Sequence, residues 1–73
     1  MSKKITVYTH SGFKADEYPL RFEVDGTRLE VIAVEDRWYD PSYEAFKVFA
    51  DDGATYILRN RKKDGFWDME RVR

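Results

Sequence analysis

The chain has 73 residues, with 13 basic and 14 acidic side chains, one histidine and no cysteine. Domains of this length bury only about 60% of their surface on folding, so a stable fold needs a dense core, for which five Phe, five Tyr and two Trp are the obvious source. The absence of cysteine excludes disulfides and thiolate metal sites. We predict one domain over residues 1–73.

The net charge of −1 argues against attraction of the whole molecule to nucleic acid. Charge is nevertheless segregated along the chain: residues 1–14 and 59–73 are basic on balance, while residues 15–58 are strongly acidic. If the termini lie together, the fold presents one basic and one acidic surface. The simpler interpretation is that these charges keep a small β protein in solution.

The longest strictly apolar run is residues 31–34, far too short to cross a membrane. The first residues, Met1 to Tyr8, lack the apolar stretch of a secretory signal. We therefore expect a cytoplasmic protein with no membrane contact. The sequence does not determine its oligomeric state.

Short alternating segments separated by turn residues indicate an all-β domain. Residues 4–9 alternate, and a long irregular stretch follows over residues 10–19. Residues 20–24 alternate clearly, and Asp25-Gly26 gives a strong hairpin signal before the return strand that starts at Arg28.

Alternation breaks at residues 31–34, so either both faces become buried there or a bulge shifts the register. Residues 35–42 are then expected to form a polar loop that carries Trp38 and Tyr39.

Residues 43–50 fit two interpretations. Asp40 as N-cap, Pro41 in the first turn and aromatic residues three apart are compatible with a short helix. A strand that places Phe46 and Val48 on one face, followed by an Asp52-Gly53 turn, fits a hairpin better, and we favour it.

Two more segments complete the expected fold, residues 55–59 and, after a turn over residues 61–65, residues 66–72. We predict a small antiparallel meander of five to six strands, strongly curled or closed into a barrel, because closure removes both exposed edges. One helical turn is expected within residues 10–18 or 38–43. The expected core consists of Val7, Leu20, Phe22, Val24, Leu29, Val31, Phe46, Val48, Tyr56, Leu58, Trp67 and Met69.

Asp36-Arg37-Trp38, the aromatic hairpin around Asp52-Gly53, and the closing Trp67-Asp68-Met69-Glu70 together resemble a group of small bacterial proteins. That group shares an Asp-Arg-Trp element, an aromatic Asp-Gly hairpin and a closing Trp-x-Leu-Glu pattern, with Met69 here in place of Leu. The resemblance covers about residues 18–72. It implies a compact cytoplasmic domain and transfers no functional residues.

Catalytic and metal chemistry find little support. His10 and Ser11 are adjacent, so in an extended chain their side chains point to opposite faces. The sequence also shows no third group that would orient the histidine. The acidic stretch over residues 35–44 lacks the glycine and the spacing of a calcium loop. We predict that the protein is not an enzyme and has no metal site or cofactor.

Two binding functions stay open. Arg37, Trp38, Tyr39 and Tyr43 bring residue types that dominate protein interfaces together in one predicted interaction loop, residues 37–43, and they favour a protein-interaction module. The alternative is weak binding of single-stranded nucleic acid, in which a basic segment tracks phosphates and an aromatic ring stacks on bases. Its candidate residues are Arg59, Arg61, Lys62, Lys63 and Trp67.

Overall fold

Alternating apolar and polar residues, interrupted by turn residues, form the β-strands of this protein. The computed structural model describes residues 3–9 and 18–72. The strands are β1 (Lys3–Thr9), β2 (Pro19–Val24), β3 (Thr27–Tyr39), β4 (Tyr43–Ala50), β5 (Thr55–Arg61) and β6 (Trp67–Val72). Each strand is antiparallel to the next in the chain.

The first and last strands pair with each other and close the sheet into a barrel in the order β1 to β6. Lys3 lies opposite Met69 and Ile5 opposite Trp67, so β1 joins β6 through its first half and β2 through its second half. Closure leaves neither terminal strand as a free edge, which is the physical reason to expect it in so small a sheet. The predicted all-β barrel is confirmed.

The tight turn between β2 and β3 is the Asp25-Gly26 hairpin that the sequence predicts. Both residues have positive φ, 51° at Asp25 and 78° at Gly26, as a two-residue type I′ turn requires. This turn sets the register in which Phe22 lies opposite Leu29.

β3 differs from the prediction, because it extends through Tyr39 where a loop was expected from residue 35. The register with β4 shifts twice, between Val31 and Ala33 and between Val34 and Asp36. Of the two interpretations of the 31–34 run, the bulge is correct, and the side chain of Ile32 is 60% exposed. The bulges allow one long strand to leave β2 and continue along β4.

Residues 43–50 form a strand, and the helical interpretation is wrong. β4 pairs with β3 on one side and with β5 on the other, and Phe46, Val48 and Ala50 all point to the buried interior. The helical turn considered for residues 38–43 is likewise wrong, since these residues form two strand ends and a hairpin turn. The other location proposed for a helical turn is residues 10–18, and of these, residues 10–17 lie outside the described residues.

The interior holds the side chains of alternate strand residues. Its buried members are Phe22, Leu29, Phe46, Val48, Ala50, Ala54, Tyr56 and Leu58. Ile5, Val7, Val24, Val31, Trp67 and Met69 pack against them and are partly buried.

Leu20 is the one predicted core residue outside this cluster. Tyr8 lies opposite Arg21 and Thr9 opposite Pro19, so Leu20 is the extra residue of a register shift and leaves the alternation. The Pro19 side chain is fully buried. Within the described residues there is no helix, and hence none long and apolar enough to cross a bilayer.

Candidate functional site: an aromatic pocket at one end of the barrel

Polar residues replace apolar ones on the inward face where three neighbouring strands reach the same end of the barrel. Glu44 in β4 lies opposite Asn60 in β5, which lies opposite Trp67 in β6. Glu44 and Asn60 are each two residues from a buried interior residue, Phe46 and Leu58 respectively, so they share the inward face.

These side chains line a half-open pocket of about 220 Å³. Three of the six lining residues are aromatic and three are polar. Five of them belong to β1, β4, β5 and β6, and the sixth precedes β2. The lining residues are Thr9, Tyr18, Glu44, Phe46, Asn60 and Trp67.

Trp67 serves both the core and the pocket. Its ring packs on Phe46 with a centroid separation of 5.9 Å and an interplanar angle of 31°. The residue is only partly buried, and it lines the pocket. The predicted core position of Trp67 is confirmed.

Arg37 is held against the pocket wall. It lies opposite Phe46, and its guanidinium carbon is 4.9 Å from the centroid of that ring and 5.6 Å from the ring of Tyr39. Its Nη2 donates a hydrogen bond of 2.9 Å to Oε2 of Glu44. Burial opposes the charge of Arg37, but the hydrogen bond to Glu44 and nearby charge outweigh it and raise the pKa of the guanidinium.

One atom of Arg37 lacks a partner. Its Nε is buried and has no hydrogen-bond acceptor among the described atoms. Leaving a buried donor unsatisfied costs about 1–3 kcal/mol, so the contacts with Glu44 and the two rings must offset that cost. Arg37 therefore lies behind the pocket, in contact with Phe46 and Glu44 of its lining.

The four residues predicted as one interaction loop divide between two faces. Arg37 and Tyr39 follow the inward alternation, and Tyr39 lies opposite Glu44 with 65% of its side chain exposed. Trp38 lies opposite Ala45 on the outer face, where Ala45 has no exposed surface. Tyr43 is on that outer face too, opposite Arg61. The description of these residues as one loop is wrong.

A short hairpin fixes the position of Tyr39. Asp40 and Tyr43 exchange backbone hydrogen bonds of 2.8 and 3.2 Å. Oδ1 of Asp40 also accepts a hydrogen bond of 3.0 Å from the backbone N–H of Ser42. Tyr39 thus projects at the barrel end from a constrained backbone.

The basic residues of the nucleic-acid alternative are largely engaged with carboxylates. Arg59 donates to Asp68 at 3.0 Å and to Glu70 at 3.3 Å, and Arg61 donates to Asp64 at 2.8 Å. Burial of Arg59 opposes its charge, but the hydrogen bond to Asp68 outweighs this and raises the pKa. The hydrogen bond from Arg61 lowers the pKa of Asp64.

Lys62 and Lys63 are exposed in the turn between β5 and β6. The backbone N–H of Lys62 donates a hydrogen bond of 3.0 Å to the carbonyl of Ser42. The two sets of candidate residues therefore meet at the same end of the barrel, which the sequence did not indicate.

The remaining candidates are dispersed. His10 and Ser11 lie outside the described residues. Among the residues that the structure describes, no three acidic or histidine side chains converge as metal ligands would. Asp52 is engaged in the turn before β5, where it accepts hydrogen bonds from the Tyr56 hydroxyl and the Ala54 N–H.

Sequence reasoning missed four residues of the pocket: Thr9, Tyr18, Glu44 and Asn60. A usable signal existed for two of them. Glu44 and Asn60 occupy inward positions of predicted strands, next to strand ends, where a polar side chain breaks the apolar alternation. No comparable local pattern marks Thr9 or Tyr18.

No protein family, curated protein or solved structure matches this chain. The resemblance based on Asp36-Arg37-Trp38 and the later motifs stays a prediction.

Proposed function

We propose that this protein is a non-enzymatic interaction module that binds a protein partner at the barrel end around the aromatic pocket. The observation that carries the proposal is the position of Tyr39, which is 65% exposed on a constrained hairpin and lies opposite Glu44 of the pocket. An exposed Tyr beside a concave site lined by Trp67 is the composition typical of interface hot spots.

The state of the polar groups supports binding rather than catalysis. The Glu44 carboxylate is engaged by Arg37 at 2.9 Å, whereas a general base needs an oxygen that is free to take a substrate proton. A pocket of about 220 Å³ is also smaller than the roughly 300–1,000 Å³ of most small-molecule sites. It suits one side chain of a larger partner. We propose the cytoplasm as the compartment, with which a chain without cysteine is compatible.

Site-specific photocrosslinking tests the proposal. Tyr39 is replaced by p-benzoylphenylalanine, and the protein is irradiated in extracts of the cells that naturally produce it. Tyr8 is the matched control, since it is also an exposed tyrosine but lies opposite Arg21 on the outer face of β1 and β2.

We expect a discrete protein adduct from position 39 and none from position 8. The adduct must disappear when Trp67→Phe is combined with the position-39 probe. Equal labelling from both positions, or no adduct from position 39, contradicts the proposal.

The nucleic-acid alternative is supported less well. Arg59 and Arg61 would have to exchange carboxylate partners for phosphates, and each existing contact lies at 3.3 Å or less. Lys62 and Lys63 alone make a small footprint, while binding through phosphates grows with the number of contacts.

A further inference from the structure

The barrel closes through β1 and β6, but the second half of β3 has a strand on one side only. β3 pairs with β2 from Thr27 to Glu30 and with β4 from Val31 to Tyr39. Among the described residues, none pairs with residues 32–39 from the side opposite β4. Residues 32–39 therefore form an open edge of the sheet, which is a template for pairing with another chain.

The backbone hydrogen bonds of the β3–β4 hairpin show which groups point to the open edge. Asp40 and Tyr43 exchange both of their backbone hydrogen bonds, at 2.8 and 3.2 Å. In an antiparallel ladder, pairs that exchange both bonds alternate with pairs that exchange none. Trp38 therefore bonds to β4, whereas Arg37 and Tyr39 direct their N–H and C=O groups away from β4 and into the open edge.

The N–H of Arg37 shows that this side of β3 faces solvent. It donates a hydrogen bond of 2.8 Å to Oδ1 of Asp36, the preceding residue of the same strand. A side-chain oxygen thus occupies the place that the carbonyl of a neighbouring strand takes inside a sheet. Ile32 and Tyr39, at the two ends of the open edge, are 60% and 65% exposed. An edge strand with large exposed apolar residues is suited to pairing with a partner.

The charge of the open edge defines the chemistry of the strand that fits it. Glu35 and Asp36 are exposed carboxylates at its centre, while the charge of Arg37 is matched by Glu44 at 2.9 Å. Opposite charges across a strand pair stabilise it, and like charges directly opposite destabilise it. A second copy paired antiparallel along all of residues 32–39 would place Glu35 opposite Asp36. The open edge therefore favours a basic strand over a second copy of this chain.

We infer that the open edge binds a basic segment of the protein partner as an added antiparallel β-strand. The inference rests on the proposed function and gives the mode of binding and the chemistry of the partner. Asp36 lies on the outer face, opposite Lys47, and Tyr39 lies on the inner face. Opposed residues share a face of the sheet, so basic side chains of the added strand point outward and apolar ones lie beside Tyr39.

Amide hydrogen exchange, followed residue by residue by NMR, tests the inference. The probe is the peptide acetyl-Lys-Val-Lys-Val-Lys-Val-Lys-amide, and the matched probe has Glu in place of every Lys. In the free protein the N–H of Tyr39 should exchange quickly, while that of Asp40, bonded to Tyr43 at 2.8 Å, should be protected. Saturating basic peptide should slow exchange at Tyr39 about ten-fold or more and leave Asp40 unchanged.

Methylation of the peptide nitrogens identifies which edge of the added strand is bonded. The hydrogen-bonding residue Tyr39 faces inward, so in antiparallel pairing the inward valines of the peptide carry the bonds. Methylation of the valine nitrogens should abolish binding, whereas methylation of the lysine nitrogens should preserve it. The reverse result means parallel addition, and equal binding by both methylated peptides means that no strand is added. Either result overturns the inference.

A charge reversal and a matched control locate the effect on the protein. Glu35→Lys should weaken binding of the basic peptide and allow the acidic peptide to bind. Glu70→Lys is the control, because Glu70 is also an exposed carboxylate but belongs to β6, outside the open edge. Both variants change the net charge equally. Thermal melts confirm that each variant is folded.

No protection of Tyr39 at about 1 mM basic peptide, equal protection by the acidic peptide, or equal loss in both variants overturns the inference. Protection of Tyr39 that rises with protein concentration in the absence of peptide assigns the open edge to a second copy and also overturns it. Failure here is distinguishable from failure of the proposed function. A position-39 adduct without protection of Tyr39 by the peptide leaves the interaction module standing and removes only strand addition.

Discussion

The hydroxyl of Tyr56 donates a hydrogen bond of 2.5 Å to Oδ2 of Asp52, four residues earlier in the chain. The other oxygen of Asp52, Oδ1, accepts from the backbone N–H of Ala54 at 3.0 Å. One carboxylate therefore ties the turn between β4 and β5 to a buried ring of the core. The rings of Tyr56 and Phe22 form an edge-to-face pair with their centroids 5.2 Å apart.

The hydrogen bond between Tyr56 and Asp52 predicts that the fold loses stability at acid pH. The hydrogen bond from Tyr56 lowers the pKa of Asp52 below its usual 3.8, so the carboxylate stabilises the fold above that pH. The contribution is lost as the pH falls from about 4 through the lowered pKa of the folded state. Urea unfolding measured from pH 6 to pH 2 should show this loss, and Asp52→Asn should make the same region of the profile flatter. A profile unchanged by Asp52→Asn would contradict the role of the turn.

Tyr56→Phe isolates the hydroxyl from the ring. We expect it to lower the free energy of unfolding by about 1 kcal/mol at neutral pH, less than is usual for a hydrogen bond to a charged group, since Asp52 is exposed to water. Burial is the main cause that raises the pKa of Tyr56, so the wild type should also lose stability above about pH 10, where Tyr56→Phe should not. Denaturant midpoints at pH 7 and pH 11 check both statements.

Alanine substitutions at two neighbouring residues of β5 compare the stability contribution of a core position with that of a surface position. Leu58 has no exposed surface and lies in the interior, while Ile57 points outward. Leu58→Ala should cost about 2–5 kcal/mol through lost burial and the cavity it leaves. Ile57→Ala should cost about 1 kcal/mol or less. Equal shifts of the urea midpoint would mean that the assignment of the two faces is wrong.

Substitutions of Gly26 test the backbone geometry of the turn between β2 and β3. A Cβ added there meets no atom within 4 Å, so only the backbone resists substitution. At φ of 78° an L-residue is strained, and Gly26→Ala should cost about 1–2 kcal/mol. Gly26→Asn should recover part of that loss, since Asn tolerates this conformation better. Thermal unfolding compares the two variants, and an alanine variant as stable as wild type contradicts the turn geometry.

The ion pairs of β5 and β6 predict weak nucleic-acid binding. A fluorescent mixed-sequence single strand at low salt should show no saturable binding to the wild type, because Arg59 and Arg61 are engaged by carboxylates. Replacement of Asp64 and Asp68 by asparagine and of Glu70 by glutamine removes the carboxylate partners of both arginines and should raise the affinity with a steeper salt dependence. Tight, salt-sensitive binding by the wild type would instead favour the nucleic-acid function.

Much of the fold was predictable because the relevant information is local. Alternation in residues 20–24 and the Asp25-Gly26 turn each define an element within a few positions. The end of β3 was not predictable in this way. Residues 35–39 are polar and aromatic in composition, and only pairing with β4 across two bulges makes them a strand.

The candidate site was less predictable than the fold. Trp67 was identifiable as a core residue, but its second role depends on Glu44 and Asn60 arriving beside it from other strands. Arg37 is a residue type that is common in interface hot spots, yet the register of β3 with β4 places it opposite Phe46. Such placements follow from barrel closure and strand register, which no short segment encodes.

Closure of the barrel also constrains the order in which the protein acquires its structure. β1 pairs with β6 through residues 3–5 and 67–69, which are separated by almost the full sequence. During synthesis on the ribosome, β1 cannot obtain this partner until β6 has emerged. Contacts of such long separation slow folding, and until they form, the edges of β1 and β5 are open to other chains. Aggregation during translation is therefore the hazard that this topology creates, and it ends when the last strand is in place.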